Sequence, residues 1–459
     1  MRRTPCSRSH PVAEPGRTAP ALGIPSPSLV VMVGPSGSGK SLFCRRSFRG
    51  SQVVASDACR EIVAGDASDQ SASAAAFELA HRMADERLRR GRLTVFDATS
   101  VTTGARRDLL DLARRHHLPA VALVMDLPLE ACLAHDLARP ERRVGRPVIA
   151  RQVRQLAETL PRLAEEGFAA VHVIKNAGDA ALARVTLHPL PCDRSDDAGP
   201  FDLIGDVHGC AQELTALLRR LGYRRPSSRR AFRHSRGRRA IFLGDLVDRG
   251  PRVVEAARLV MRMVEEGSAL CVPGNHEAAL TRLLDGEAVR RSPGIVLSLR
   301  QFEALPSSRR RRFLEEFRAF VSSLPAHLVL DRGRLAVAHA GLKSEHVGRD
   351  SPEVRRFALS GETTGELDRY GLPVRVKWAA AYRGRALVVY GHTPVPEPEW
   401  IGNTVNIDTG CVYGGKLTAL RYPETTTVSV PAGRPYYRPR RSLPAGVGLR
   451  AETRAAPTA

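Results

Sequence analysis

The sequence predicts two consecutive α/β domains. In the first third of the chain, short apolar runs alternate with helical segments, the pattern of a parallel, doubly wound sheet. Further along, apolar runs end in Gly-containing turns that carry polar side chains, at 205–209, 244–250 and 274–277. A chain of 459 residues is also too long for a single hydrophobic core.

Composition places the domain boundaries. Residues 1–28 are rich in Pro, Ser and Arg without apolar periodicity, so a disordered extension is expected. The first domain is predicted at 29–175 and a linker at 176–200, where Gly, Pro, Asp and Ser accumulate. The second domain is predicted at 201–430, followed by a basic, Pro-rich tail at 431–459 that is expected to be disordered.

The elements of the first domain follow from its periodicity. Each predicted strand is separated from the next by a helical segment, so the strands should run parallel. Strands are predicted at 29–33, 52–55, 93–96, 120–125 and 170–174, and helices at 42–48, 72–90, 106–116, 128–138 and 149–166.

The turn after the first strand matches the phosphate-binding P-loop, and it has the strand-to-helix context that this motif requires. Backbone N–H groups of the Gly-rich turn would face nucleotide phosphates. The lysine would reach the β- and γ-phosphates, and the following serine would hold Mg²⁺. The sequence therefore predicts ATP or another NTP, with Mg²⁺, at Gly34, Gly37, Gly39, Lys40 and Ser41.

Two further clusters follow strands of the first domain. Asp57 has Arg60 one turn later, so the carboxylate could accept a proton from an attacking hydroxyl while the guanidinium holds an acceptor phosphate. A helix cap beside a surface arginine is an equally open interpretation. Arg139 and Arg143 lie in a charged loop, where a lid would neutralise the transferring phosphoryl group and a solvated face is the alternative.

The second domain collects metal-ligating residue types at the ends of its apolar runs. In open α/β sheets, ligands bind at the carboxyl ends of strands. Carboxylate, amide and imidazole groups suit divalent metals, and the imidazoles favour Mn²⁺ or a similar transition metal. The candidate ligands are Asp206, His208, Asp245, Asn275, His339 and His392.

These clusters resemble those of the calcineurin-like binuclear metallophosphoesterases. The resemblance implies two metals that share Asp245, one held also by Asp206 and His208 and the other by Asn275, His339 and His392. It also implies that Arg249 binds the substrate phosphate and that His276, oriented by Asp248, protonates the leaving oxygen. Asp408 matches a further family position.

Residues 28–425 together resemble bacterial polynucleotide kinase-phosphatase, most closely at 361–368 and 390–411. The resemblance implies an N-terminal P-loop kinase with a parallel doubly wound sheet, followed by a calcineurin-like metallophosphoesterase α/β sandwich. Within the kinase it makes Asp57 the general base, Arg60 its acceptor-side partner, and Arg139 and Arg143 the lid arginines.

The implied function is nucleic-acid end healing. An NTP would phosphorylate polynucleotide 5′-OH ends, and the metal centre would remove 2′(3′)-phosphate or 2′,3′-cyclic phosphate ends. RNA ends are the expected partner, with DNA left open. Members of this family often continue into a ligase domain, but this chain shows no lysine nucleotidylation motif, so a separate ligase protein is expected to seal the ends.

Two other functions are weighed against end healing. One is a Ser/Thr protein phosphatase or dinucleoside polyphosphate hydrolase whose P-loop domain only senses nucleotide. Asp57, Arg60 and the lid arginines argue against it, because a sensor needs no base. The other is an Arg-rich RNA-binding adaptor with degenerate sites, and the complete set of expected ligands argues against that.

Charge and cysteine usage add weaker constraints. The formal charge of +22 favours polyanionic partners, but its Arg-dominated composition is also what a biased genome would give. The eight cysteines are scattered without a Cys-x-x-Cys pair, which indicates reduced thiols in a cytoplasmic protein. No apolar run has the ~18–20 residues of a membrane span. The oligomeric state stays open.

Overall fold

The computed structural model describes residues 20–138, 143–225, 227, 230–367 and 373–438. The chain divides into two compact units whose boundary falls between Leu190 and Pro191. The predicted fold class is confirmed, since an α/β domain with a parallel sheet is followed by an α/β domain with two sheets.

The first unit alternates strands and helices as predicted. Its strands are β1 (Ala21–Ser26), β2 (Leu29–Val33), β3 (Val53–Ala55), β4 (Thr94–Asp97), β5 (Ala120–Met125), β6 (Ala170–Ile174) and β7 (Arg184–Pro189). Its helices are α1 (Lys40–Ser47), α2 (Ser56–Ala64), α3 (Ser73–Arg89), α4 (Thr103–Arg115), α5 (Leu129–Leu137), α6 (Arg146–Thr159) and α7 (Ala177–Leu182).

A parallel sheet in the order β3-β4-β2-β5-β6 forms the centre of the first unit. Every residue of β2 and β5 is buried, which explains why these strands are continuous apolar runs. The helix predicted at 149–166 is α-helical only to Thr159 and continues as a 3₁₀ helix, Leu160–Glu166. Pro161 lacks the N–H that a continued α-helix would use.

The predicted boundaries of the first unit are wrong at both ends. β1 lies in the expected disordered extension, while α7 and β7 lie in the expected linker. β1 and β7 pair in parallel, and Leu22 and Ile24 pack into the same core as Val30 and Met32. A pairing between segments so distant in sequence leaves no local signal in either one. The remainder of the expected extension, 1–19, lies outside the described residues.

The second unit also combines strands and helices, and most of its strands are short. Its strands are β8 (Asp193–Arg194), β9 (Phe201–Ile204), β10 (Tyr223–Arg224), β11 (Arg233–His234), β12 (Arg239–Phe242), β13 (Ala269–Cys271), β14 (His327–Leu330), β15 (Leu335–Ala338), β16 (Thr363–Leu367), β17 (Pro373–Arg375), β18 (Leu387–Tyr390), β19 (Glu399–Ile401), β20 (Thr404–Asn406), β21 (Lys416–Tyr422) and β22 (Thr426–Pro431). Its helices are α8 (Ala211–Leu221), α9 (Val253–Glu265), α10 (Asn275–Leu284), α11 (Pro293–Glu303), α12 (Ser307–Ser323), α13 (Pro352–Ser360) and α14 (Trp378–Ala381).

Two sheets form the sandwich of the second unit, in the orders β13-β12-β9-β21-β22 and β19-β20-β18-β15-β14-β8. Their facing sides share one buried apolar cluster, to which Leu203 and Ile241 contribute from the first sheet and Val337 and Val389 from the second. Burial of these side chains on both sheets holds the strand ends in fixed positions.

The predicted start of the disordered tail, residue 431, is too early in the sequence. β22 extends to Pro431, and residues 432–438 pack against the second unit. Ala432 is buried, and Tyr436 donates a hydrogen bond of 2.6 Å to Glu213. Residues 439–459 lie outside the described residues. Among the described helices, none has both the length and the apolar character to cross a bilayer.

Candidate active sites

The six predicted metal ligands all follow strands of the two sheets in the second unit. β9, β12 and β13 run parallel in one sheet, and β15, β18 and β20 run parallel in the other. Five of these strands end one to four residues before a ligand, and the sixth, β20, ends just before Asp408. The contacts below show that these side chains meet, as predicted.

The backbone at this site is held in an uncommon conformation. Residues with a Cβ rarely adopt positive φ, and such residues cluster at functional sites where the surrounding fold enforces them. Here it occurs at His208 (φ 41°), Asp245 (φ 47°), Asp248 (φ 68°), Arg249 (φ 68°) and His392 (φ 73°). Gly391 is required for a different reason, since a Cβ there would lie 2.2 Å from Oδ1 of Asp206.

Histidine orientation tests whether these residues fit a metal. Nδ1 of His339 donates to the carbonyl of Leu243 at 2.8 Å, so its Nε2 carries a lone pair. That Nε2 nevertheless faces Oδ1 of Asn275 and Nδ1 of His392, each at 3.0 Å, and Oδ1 of Asp245 at 3.4 Å. Acceptor atoms that converge in this way are satisfied by a cation, and a backbone bond at the other nitrogen is usual for metal-ligating histidine.

His208 repeats this arrangement on the other side of Asp245. Its Nδ1 donates to the carbonyl of Val247 at 2.8 Å, and its Nε2 lies 3.4 Å from Oδ2 of Asp245. Asp245 thus faces both histidine groups, as a bridging carboxylate would. Oδ1 of Asp206 is buried without a hydrogen-bond partner, which leaves this atom available as a ligand.

Burial and neighbouring charges shift the pKa values of the candidate ligands, and for the histidines the shift favours metal binding. Burial lowers the pKa of His392, and the neighbouring His339 lowers it further, so both rings are neutral as metal ligands must be. Burial raises the pKa of Asp206, with repulsion from Asp408 and Asp245 adding to it. Burial alone would raise the pKa of Asp245 too, but the surrounding histidines lower it below its usual range.

Beside these ligands lie the groups that were predicted to handle the phosphate. Arg249 donates through Nη1 to Nε2 of His208 at 2.7 Å and through Nη2 to Nε2 of His276 at 2.8 Å. A metal at His208 would compete for the same lone pair, which would release this guanidinium towards a phosphate. Nδ1 of His276 lies 2.6 Å from Oδ2 of Asp248, the contact that an orienting carboxylate requires.

Two residues that sequence reasoning missed hold these groups in place. Glu277 is buried and accepts hydrogen bonds from the backbone N–H groups of Asp245, Leu246, Val247 and Gly274. It therefore fixes the turn that carries Asp245. The hydroxyl of Ser298 in α11 donates to Oδ1 of Asp248 at 2.6 Å. Glu277 directly follows the Gly-Asn-His cluster and could have been suspected, but Ser298 has no local signal.

The P-loop of the first unit has the expected geometry. Gly37 has φ 80°, and a Cβ there would lie 2.2 Å from the carbonyl oxygen of Cys132. The ammonium of Lys40 donates to the carbonyls of Gly34 and Pro35, both at 2.8 Å. Phosphate oxygens would be stronger, charge-assisted acceptors for this ammonium. Lys40, Ser41 and Gly39 line a cleft of about 640 Å³.

The acceptor-side residues line the same cleft. Asp57 and Arg60 both lie in α2, and Nη1 of Arg60 donates to Oδ1 of Asp57 at 2.8 Å. Asp57 does not cap α2, since Ala55 is the N-cap residue. The guanidinium of Arg60 is buried and also bonded to the carbonyl of Ala67, so it supports Asp57 rather than reaching outwards. Arg143 lines the cleft, whereas Arg139 lies outside the described residues.

Asp97, which sequence reasoning gave no role, lies at the end of β4 in this cleft. Burial raises the pKa of Asp97, while a hydrogen bond from Ser41 and the charge of Lys40 lower it. A carboxylate beside the predicted Mg²⁺-binding serine is suited to the same ion. Asp97 directly follows the apolar run predicted as a strand at 93–96, and this position is the signal that could have identified it.

Comparisons with known proteins find a family match for each of the two units. A family model for calcineurin-like phosphoesterases, enzymes that use divalent metals, matches residues 199–424, and one for an AAA domain matches residues 29–163. Bis(5′-nucleosyl)-tetraphosphatase PrpE of Anoxybacillus flavithermus is 44% identical over 236 residues, which are 51% of this chain and 96% of that protein. PrpE of Geobacillus thermodenitrificans is 46% identical over 236 residues with the same two coverages.

Proposed function

We propose that this chain, which belongs to the calcineurin-like phosphoesterase family, heals nucleic-acid ends. Its first unit would phosphorylate 5′-OH ends, and its second would remove 2′(3′)-phosphate or 2′,3′-cyclic phosphate ends. The observation that carries the proposal is the presence of Asp57 in the cleft of Lys40 and Ser41. A unit that only sensed nucleotide would need the phosphate-binding loop but no carboxylate on its acceptor side.

In the kinase, the chain's residues divide between the two substrates. The P-loop N–H groups and Lys40 would hold the nucleotide phosphates, with Ser41 and Asp97 on Mg²⁺. Asp57 would accept the proton of the attacking hydroxyl, and its ion pair with Arg60 orients the carboxylate. Arg143 would neutralise charge on the phosphoryl group in transfer.

In the phosphoesterase, two divalent ions held by the six ligands would activate water and neutralise the phosphate charge. Arg249 would bind the phosphate oxygens. Once Arg249 exchanges its hydrogen bond to Nε2 of His276 for the phosphate, that nitrogen would carry the proton given to the leaving oxygen, while Asp248 keeps Nδ1 protonated. Burial lowers the pKa of His276, but Asp245 and Asp248 outweigh it and raise that pKa, which favours the charged, proton-donating form.

Asymmetrical hydrolysis of bis(5′-nucleosyl) tetraphosphates is a second candidate for the second unit. It is favoured by the named activity of the PrpE relatives, which the chain matches over 96% of their length. A phosphate–phosphate bond and a ribose phosphate ester need the same phosphate-binding and proton-donating groups, so the site geometry accommodates either substrate.

One comparison of substrates tests the proposal. The full chain is given ATP and, in separate reactions, Mg²⁺ or Mn²⁺. The substrates, also tested separately, are an RNA that carries a 5′-OH and a 3′-phosphate, the matching DNA, and diadenosine tetraphosphate. We expect both RNA ends to change, and Mn²⁺ to support phosphate release better than Mg²⁺. Rapid tetraphosphate hydrolysis without any change at either RNA end would refute end healing and support the second candidate. Ligation after adding a separate ligase would place the chain in a two-protein repair reaction.

A further inference from the structure

Two tyrosines flank the guanidinium of Arg249 in the second unit. The guanidinium carbon lies 5.6 Å from the ring centre of Tyr413 and 6.0 Å from that of Tyr437. The two rings also contact each other, with centroids 6.3 Å apart at an angle of 64°. Because Arg249 also contacts His208 and His276, this aromatic pair borders the phosphoesterase site.

The segment that carries Tyr437 is anchored to the fold at several points. The N–H groups of Tyr436 and Tyr437 both donate to the carbonyl of Val412 at 3.0 Å, and Ala432 donates to Gly415 at 2.9 Å. Glu213 accepts hydrogen bonds from the N–H of Gly433 and the hydroxyl of Tyr436. These bonds hold the Tyr437 ring beside Arg249, in a stretch whose composition had indicated disorder.

From this arrangement we propose that Tyr413 and Tyr437 form a stacking site for the nucleobase next to the scissile phosphate. The inference rests on the proposed function, since it requires a nucleotide substrate. Arg249 would hold a phosphate, and a nucleotide places a flat aromatic base within one sugar of that phosphate. Tyrosine faces stack on any base, which gives affinity without sequence preference.

A rival role is that the rings only position Arg249 by cation–π contact. The two roles differ in what they predict for substrates. A positioning role would affect every phosphate substrate equally and would lower turnover. A stacking role would act on KM and only where the substrate has a base.

Matched substrates separate the roles. Two oligonucleotide 3′-phosphates are compared: in one the terminal nucleotide has its base, and in the other it is a stable abasic analogue. Both are tested with wild type, Tyr437→Ala and Tyr437→Phe. We expect Tyr437→Ala to raise KM for the base-containing substrate by roughly 5- to 100-fold. KM for the abasic substrate should stay unchanged, and Tyr437→Phe should behave as wild type. Trp400→Ala, which removes a surface aromatic 47% exposed in the same unit, is the control.

Equal losses on both substrates would overturn the inference in favour of positioning. An unchanged thermal midpoint in Tyr437→Ala keeps a folding defect apart from either result. Failure of the proposed function would look different, because wild type would then leave both 3′-phosphates intact while hydrolysing diadenosine tetraphosphate. In that case wild type and Tyr437→Ala are compared on diadenosine tetraphosphate, which has bases, and on inorganic tetrapolyphosphate, which has none. If the ratio of the two KM values is the same in Tyr437→Ala as in wild type, stacking is refuted.

Discussion

The two sites of this chain are built in contrasting ways. In the first unit, the groups proposed to bind phosphate come from one contiguous loop, 34–41, and most of them are backbone N–H groups. In the second, the proposed metal ligands are side chains collected from strand ends between Asp206 and His392. A loop tolerates side-chain changes as long as its backbone conformation, Lys40 and Ser41 are kept. A centre made of converging side chains depends on each of them.

The contrast predicts that the two activities can be removed separately, and this is the largest expected effect. Asp245→Asn should reduce phosphate release by about 10³–10⁵-fold, since it removes a preorganised charge and weakens metal binding together. Kinase activity should stay at the wild-type level. The measurements are phosphate release, metal content by mass spectrometry and 5′ phosphorylation.

Lys40→Ala is the reciprocal variant. It should abolish 5′ phosphorylation and leave phosphate release near wild type, because Lys40 lies in the P-loop of the first unit, where it donates to the carbonyls of Gly34 and Pro35. If either variant folds normally but loses both activities, the units do not act as separate modules and the comparison fails.

The acceptor end of the kinase cleft is the part of the first unit that does depend on side chains. Asp57→Asn keeps the size of the side chain but removes the base, so kinase turnover should fall by about 10²–10⁴-fold with ATP affinity unchanged. If Asp57 served only as the ion-pair partner of Arg60, Asp57→Asn would leave turnover almost unchanged. Single-turnover phosphoryl transfer, measured beside the thermal midpoint, decides between them, and full activity would remove Asp57 from the mechanism.

The sequence was informative where a local pattern reports a local structure. The P-loop and the strand-end clusters are of this kind, because a buried strand followed by a Gly-containing turn is visible within ten residues or so. It was uninformative where distant segments meet. β1 and β7 pair although they lie at opposite ends of the first unit in sequence. Ser298 contacts Asp248 from α11, 50 residues further along the chain, and Tyr437 contacts Arg249 from a stretch whose composition had predicted disorder.

Ser298 offers a test of how far such distant support matters. Ser298→Ala removes the hydroxyl that holds Asp248, so we expect phosphate release to fall by about 10–100-fold and its pH profile to shift as His276 loses its oriented partner. Ser292→Ala is the matched control in the same helix, because Ser292 only caps α11 by accepting from the N–H of Ile295. Equal activity in the two variants would show that Asp248 is held adequately without Ser298.

The smallest expected effect concerns stability in acid, and it can be followed in the second unit alone. Both tryptophans of the chain, Trp378 and Trp400, lie in that unit, so their fluorescence reports its unfolding without a contribution from the first. His327 in β14 is buried, and its Nε2 accepts a hydrogen bond from the N–H of Gly348. Burial lowers the pKa of His327 to about 3, with the neighbouring His346 adding to the effect.

The direction of the pH dependence follows from the protonation of His327 in the folded and in the unfolded chain. Above the unfolded value of 6.5, neither state binds the proton. As the pH falls below it, the unfolded chain takes up a proton that folded His327 refuses until about pH 3, so the free energy of unfolding declines by at most about 1.4 kcal/mol per pH unit. His327→Gln removes this contribution, so its stability should decline less steeply between pH 6.5 and 4.5 than that of wild type. Parallel slopes in urea titrations followed by tryptophan fluorescence would mean that folded His327 does accept the proton.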